Sequence, residues 1–316
     1  MQIPNYSDVL YGERIMGERR KYILKLIQSY YFPEKAIKEF LQAYDKIQSC
    51  DESNRIFEQQ IRIYEHDIMF DYAGAFQNIK NACSISGARE ETGVLVFIIC
   101  LTEHLSQLYQ KNNIDSALFD GIIMDIKSKN EECYMMRGVY GTFVNEWFVR
   151  FFDLTKFVLG RLQFELRYIP FDIVLDDKKI KKDTLAIGVH IPSGRPLVFE
   201  ECEESFKAAY DMFLPLFDND TVIFYCGSWL LAPDNRKLLN PDSNIVKFMD
   251  FFRVFPADTS IEHDFWRIFG KQDCSDIKKL PRDNSLRKIY AECAEKGEIP
   301  LAGRGIFYMK DRKIIH

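Results

Sequence analysis

The sequence has no CxxC pair and no short Cys/His cluster, although eight cysteines stand at positions 50, 83, 100, 133, 202, 226, 274 and 293. That scatter excludes a zinc site of ordinary ligand spacing, and no metal is expected. It fits reduced, mostly buried thiols in a reducing compartment. Positive charge is not in excess either: 42 Lys and Arg against 47 Asp and Glu give a net charge of −5. A field that gathers phosphate backbones is therefore missing, and nucleic acid is not an expected partner. The basic run Arg19, Arg20 and Lys21 lies beside Glu13 and Glu18 on an amphipathic helix and reads as a solvated face. The most apolar run, Val94–Leu101, falls far short of the roughly 20 residues that span a bilayer, so no membrane is expected. Met1–Gly12 carries neither a charged n-region nor an apolar h-region, so no secretory signal is expected and the cytoplasm is the default location. Internal repeats and low-complexity stretches are also missing.

What is present is enough for more than one core. A chain of 316 residues, 47% hydrophobic and 28% charged, predicts two folded domains. Aromatic residues make up 14%, including 26 Phe, which points to aromatic cores. Residues 1–159 read as an all-helical domain, because apolar residues recur every three or four positions. Ile37, Phe40, Leu41, Tyr44 and Ile47 form one such stripe after Pro33. Helices are predicted over about Glu90–Gln110 and Asn145–Leu159, the latter closed by Gly160.

From residue 160 to 316 the period changes. Arg161–Ile169, Phe171–Leu175 and Leu185–Ile191, the last two separated by a charged turn of Asp176, Asp177 and Lys178, read as an antiparallel meander. A helix over Glu200–Leu216, a strand over Thr221–Leu231 and a helix over Ser243–Phe255 with Ser243 as N-cap follow. His263–Phe269 reads as a strand, Asn284–Lys296 as a helix closed by Gly297, and Gly305–Met309 as a final strand. The fold class is α+β: a helical domain followed by a mixed α/β domain with a mainly antiparallel sheet.

Two segments have the composition of a site. Val189 to Pro196, running through His190, Ile191, Ser193, Gly194 and Arg195, lies where a strand gives way to a helix. Such a turn binds anions on backbone N–H groups, but it also serves as a plain connection, and its two prolines donate nothing. In the strand from Thr221, Gly227 and Ser228 interrupt an apolar run, as at a bulge or a close approach of ligand. Cys226 has no partner in the sequence that would make it a nucleophile and reads as a buried thiol.

The phrases Gly160–Glu165, His190–Gly194, Ser228–Leu231 and Leu280–Leu286, in that order, resemble a bacterial acyltransferase-like family. That family joins an N-acyltransferase-type helical N-terminal domain to a GNAT-like C-terminal domain. In it a His often precedes the Ser-Trp-Leu-Leu phrase; this chain has Gly227 there. The resemblance implies transfer of an acyl group from acyl-CoA or acetyl-CoA to a small-molecule amine or peptide acceptor. It implies a cleft between two splayed strands, with Val189, Ile191, Ser193, Gly194, Arg195 and Ser228 holding CoA. His190, Glu165 and Tyr225 would then be the acid–base candidates, since acyl transfer needs a base for the amine and an acid for the thiolate. The rival expectation is a non-catalytic GNAT-like ligand-binding or interaction module.

Overall fold

The computed structural model describes residues 6–67, 70–175, 178–271 and 273–315. It divides into two units, Met1–Leu154 and Thr155–His316, so the division falls slightly before the expected 159/160 boundary.

The first unit is helical. Its helices are α1 (Tyr6–Ser29), α2 (Glu34–Gln48), α3 (Asp51–His66), α4 (Tyr72–Ser86), α5 (Glu90–Lys111), α6 (Ala117–Arg137) and the single turn α7 (Val149–Phe152). Helix α5 is buried without interruption from Thr92 to Thr102. A helix that is apolar all round must be enclosed, and α1 to α4 all pack on it. It is long and apolar enough for a membrane span by length and composition alone, but 72% of its apolar window is buried inside the protein. Phe57 of α3 shows how the unit closes: its ring meets Tyr44 of α2 and Phe97 of α5 edge-on at 6.1 and 5.6 Å.

The helix expected over Asn145–Leu159 is a correction. Only a 3-10 turn (Asn145–Phe148) and α7 are helical there, and Lys156–Leu159 forms strand β1. Gly160, at φ +66°, is the turn into the next strand and not a helix end. Both roles need the left-handed backbone that glycine adopts most readily, so the residue type alone does not separate them.

The second unit is built on a seven-stranded sheet. Its strands are β1, β2 (Leu162–Tyr168), β5 (Leu185–His190), β6 (Thr221–Ser228), β7 (Arg253–Ser260), β8 (Leu301–Lys310) and β9 (Lys313–Ile315). The order is β1-β2-β5-β6-β8-β7, with β9 also on β8. Strands β3 (Ile173–Leu175) and β4 (Lys178–Ile180) form a separate hairpin, so β2 pairs directly with β5 and the expected three-strand meander is not formed. Residues 176 and 177 of its charged turn lie outside the described residues. The sheet is mixed, because β5 and β6 run parallel while the other pairings are antiparallel. Parallel neighbours need a crossover, and α8 (Phe199–Phe213) supplies it.

Short helices α9 (Asn235–Leu238), α10 (Asn244–Met249) and α11 (Phe265–Phe269) and the longer α12 (Ser285–Lys296) complete the unit. Ser243 caps α10 by accepting from the Val246 N–H, and Asn284 caps α12 by accepting from Arg287. Two further expectations fail. The helix after Ser243 stops at Met249, and Arg253–Ser260 pairs with β8 as a strand. The segment His263–Phe269 is helical: Phe265, Ile268 and Phe269 are buried at helical spacing while Arg267 lies exposed.

Alternate residues of the central strands form an aromatic core. Phe164, Phe224 and Phe307, from β2, β6 and β8, surround Phe206 of α8 with centroids 5.8, 5.6 and 4.9 Å away. Phe248, Phe251 and Phe252 close the other side. Because Phe206 is fully buried at this junction, Phe206→Ala is expected to cost about 3–5 kcal/mol. Denaturant unfolding of the full chain measures this; a loss below ~1 kcal/mol would contradict the packing.

Candidate active site

Strands β5 and β6 pair over only two rungs, Ile187 with Phe224 and Gly188 with Tyr225. Beyond them each strand keeps only its outer neighbour. Val189 and His190 pair with Phe164 and Gln163 of β2, while Gly227 and Ser228 pair with Arg304 and Gly303 of β8. The carboxyl ends of β5 and β6 therefore part, and a gap opens where the ladder stops.

Side chains alternate between the faces of a sheet, so register fixes which residues share a face. One row runs Lys156, Glu165, Gly188, Tyr225, Ile306, Arg253. The next row on the same face is split by the gap: Gln163 and His190 on one side, Gly227, Arg304 and Phe255 on the other. This face carries the polar groups around the gap beside a small apolar cluster, in which Tyr225 and Ile306 pack with Ile169, Ile173 and Ile180, whereas the reverse face carries the aromatic core. His190, Glu165 and Tyr225 are thus brought onto one surface around the gap. Val189 is turned to the reverse face, where it is buried. Ser228 also belongs to the reverse register, and its hydroxyl accepts from the Leu230 N–H.

His190 Nε2 lies 3.2 Å from Glu165 Oε2. Burial pushes the Glu165 carboxyl up, but the hydrogen bond and charge of His190, then the charges of Lys156 and Arg167, outweigh it and hold the group below the ordinary carboxylate range. Gly188 matters to this arrangement. A Cβ there would fall 2.5 Å from Arg167 Cδ and 3.1 Å from Glu165 Cγ, so only a glycine lets those side chains lie across β5. The Arg167 guanidinium is 3.9 Å from Glu165 and sits over the Tyr225 ring at 5.4 Å. Burial raises the Tyr225 hydroxyl, and Arg304 and Arg167 oppose that rise without cancelling it. Burial also pushes the Cys226 thiol up to about 12, and with its 1% exposure this makes it an inert core residue.

The turn after β5 is exposed from Ser193 to Arg195, and Ile191 is half-buried. Gly194 has φ +104°, and a Cβ there would meet nothing within 4 Å. Arg195 pairs with Glu201 in the first turn of α8. The turn is held from below by a residue that sequence reasoning missed. Buried Arg161 donates through Nε to the Pro196 carbonyl at 2.9 Å and through its terminal nitrogen to the Arg195 carbonyl at 2.5 Å. Its own N–H donates to Ser205 Oγ of α8 at 2.8 Å. Arg167 and Arg304 were missed as well. Arg167 is two residues from Glu165, so strand alternation alone assigns it the same face. Arg304 was lost because the last strand, expected from Gly305, begins at Leu301. Among the described residues no group of three His, Cys, Asp or Glu side chains has the arrangement of a metal site.

Residues 23–154 match the N-acyltransferase N-terminal domain family, and residues 157–307 match the GNAT-like C-terminal domain family. No curated protein matches the sequence. Among solved structures, an acyltransferase in complex with CoA and 10C-teicoplanin is similar, with TM-score 0.69 and 17% identity over 89% of this chain and 86% of that one. An acyltransferase in complex with decanoyl-CoA gives TM-score 0.68 and 18% identity over the same shares. A mutant acyltransferase in complex with octanoyl-CoA gives 0.68 and 17%, again over 89% and 86%. At these identities the likeness is one of fold.

The depressed Glu165 pKa has a sign that stability measurements test. A carboxyl whose folded pKa lies below its unfolded value stabilises the fold fully above that unfolded value, about 4.3, and loses the contribution as pH falls through the lower folded value. The stability difference between wild type and Glu165→Gln should therefore be present from pH 7 to 5 and close as pH is lowered further below 4. A difference that is flat down to pH 3 would contradict the His190–Glu165 pairing.

Proposed function

Since the chain joins an N-acyltransferase N-terminal domain to a GNAT-like C-terminal domain, we propose that it transfers an acyl group from a CoA thioester directly to an amine. The observation that carries this reading is the parting of β5 and β6 after Gly188 and Tyr225, with a His–Glu pair on one bank and a tyrosine at its root. Unsatisfied backbone at such a gap suits a thioester carbonyl, because strand N–H groups without a neighbouring strand seek an acceptor.

In this mechanism His190 takes the proton from the amine, with Glu165 fixing the imidazole. The Glu165 carboxylate, 3.2 Å from Nε2, stabilises the imidazolium that forms. The amine nitrogen attacks the carbonyl carbon, the C–N bond forms, and the C–S bond breaks. Tyr225 protonates the departing thiolate, and the products are an amide and free CoA. Ser193, Gly194 and Arg195, with Ile191 and the amino end of α8, would receive the CoA diphosphate. Arg195 would exchange its exposed pairing with Glu201 for the ligand. The backbone of Val189 and Ser228 would line the two banks. Medium-chain thioesters are the first donors to try, because the similar structures hold octanoyl- and decanoyl-CoA. The eight free thiols fit the cytoplasm as the place of action.

Calorimetry with acetyl-CoA and octanoyl-CoA tests the reading, with binding of at least one at ~100 μM or tighter as the expected outcome. No binding of either at ~1 mM would sink it. Once an acceptor is found, His190→Ala should lower kcat about 100-fold or more while acyl-CoA affinity stays within about two-fold. Binding with no transfer to any amine would leave the protein a ligand-binding module.

A further inference from the structure

The polar face around the gap holds more positive charge than an acid–base pair requires. Arg167 lies across β5 over the side-chain-free position Gly188, and its Nε is buried with no hydrogen-bond partner among the described residues. Its nearest carboxylate, Glu165 at 3.9 Å, is beyond hydrogen-bond distance. Arg304 stands on the other bank, with its guanidinium 4.3 Å from the Phe171 ring centroid and one nitrogen 3.2 Å from Asp258. The Asp258 side chain is 90% exposed, so this pair is screened by water and readily exchanged. Both arginines flank Tyr225, one above its ring and one within reach of its hydroxyl.

Between these groups the floor is bare. Gly227 occupies the gap row between His190 and Arg304, and a Cβ there would meet only Tyr225 Oη, at 3.9 Å. His190 and Arg304 are two strand positions apart across that row, so at least about 10 Å separates their backbones. The space suits a small amine lying over Gly227, with its nitrogen toward His190 and its other end toward Tyr225, which Arg167 approaches from the His190 bank and Arg304 from the opposite one. A planar guanidinium with unmade hydrogen bonds matches a carboxylate, which accepts two parallel N–H bonds.

We propose that the acceptor is an amine carrying a carboxylate, an amino acid or the free-acid end of a short peptide, and that Arg167 and Arg304 select it by gripping that carboxylate over Gly227. The proposal rests on the acyl-transfer reading and adds the chemical class of the acceptor. The nitrogen is acylated and the carboxylate is unchanged, so the product is an N-acyl amino acid.

The test uses the full chain with octanoyl-CoA as donor and glycine, β-alanine and a tripeptide as acceptors, each as the free acid and as the amide. Product is measured by mass spectrometry. The acids should show kcat/KM at least ten-fold above their amides. Arg167→Gln and Arg304→Gln should each shrink that ratio below about three-fold, mainly by raising KM for the acid. Arg304→Lys, which keeps the charge but not the fork, should lie between; it also serves if Arg304→Gln melts early. Amides used as well as acids, or a ratio that survives both Gln variants, would overturn the proposal. A 2-aminoethyl phosphate acceptor that outcompetes β-alanine would overturn the carboxylate assignment. If octanoyl-CoA binds by calorimetry and no acid is acylated, the acceptor class is wrong and the donor reading stands. If neither octanoyl-CoA nor acetyl-CoA binds, both fall.

Discussion

Everything in the second unit depends on a pairing that stops early. Two rungs join β5 to β6, enough to fix register, and then the ladder ends in the middle of the sheet. A central gap of this kind leaves backbone groups without partners and would ordinarily destabilise a sheet. Here the reverse face compensates. Phe224 stacks on Phe307 at 4.8 Å, and Phe206 spans from there to Phe164 on the far side of β5. Dispersion and burial hold strands together where hydrogen bonds have been given up. The phenylalanines gathered around Phe206 serve that purpose.

The same strands therefore do two jobs in alternation. Odd and even positions of β6 give Tyr225 and Gly227 to the polar face and Phe224 and Cys226 to the core. A register slip of one residue would exchange them all, placing a tyrosine in the aromatic cluster and a phenylalanine at the gap. The long antiparallel pairing of β6 with β8 over Thr221 to Ser228 guards against it. The His190–Glu165 pair is secured likewise, since both residues sit in the β2–β5 ladder and not on a loop.

Much of this was legible in the sequence. Periodicity located the helical half, β2, β5, α8 and β6, and Ser243 was recognisable as a cap by residue type and position. The failures share a cause. Lys156–Leu159, Arg253–Ser260 and Phe265–Phe269 are short or flank helices, and over four or five residues an alternating pattern and a helical one coincide. The β3–β4 hairpin was read as part of the sheet because its local pattern says strand without saying which partner. At the site, His190, Glu165 and Tyr225 were found because their chemistry draws attention. Arg161, Arg167 and Arg304 were not, because each takes its meaning from a neighbour distant in sequence: a loop carbonyl, a glycine or a tyrosine.

The contacts of Arg161 also bear on the order in which the site is assembled. They reach only 34 to 44 residues along the chain, to Arg195, Pro196 and Ser205. As the chain leaves the ribosome, the loop after β5 can take its shape as soon as α8 has emerged. Arg304 arrives about a hundred residues later, on the strand that completes the sheet. The two banks of the gap are thus separated in time as well as in space: the bank bearing His190 can form once α8 has emerged, and the opposite bank waits for β8.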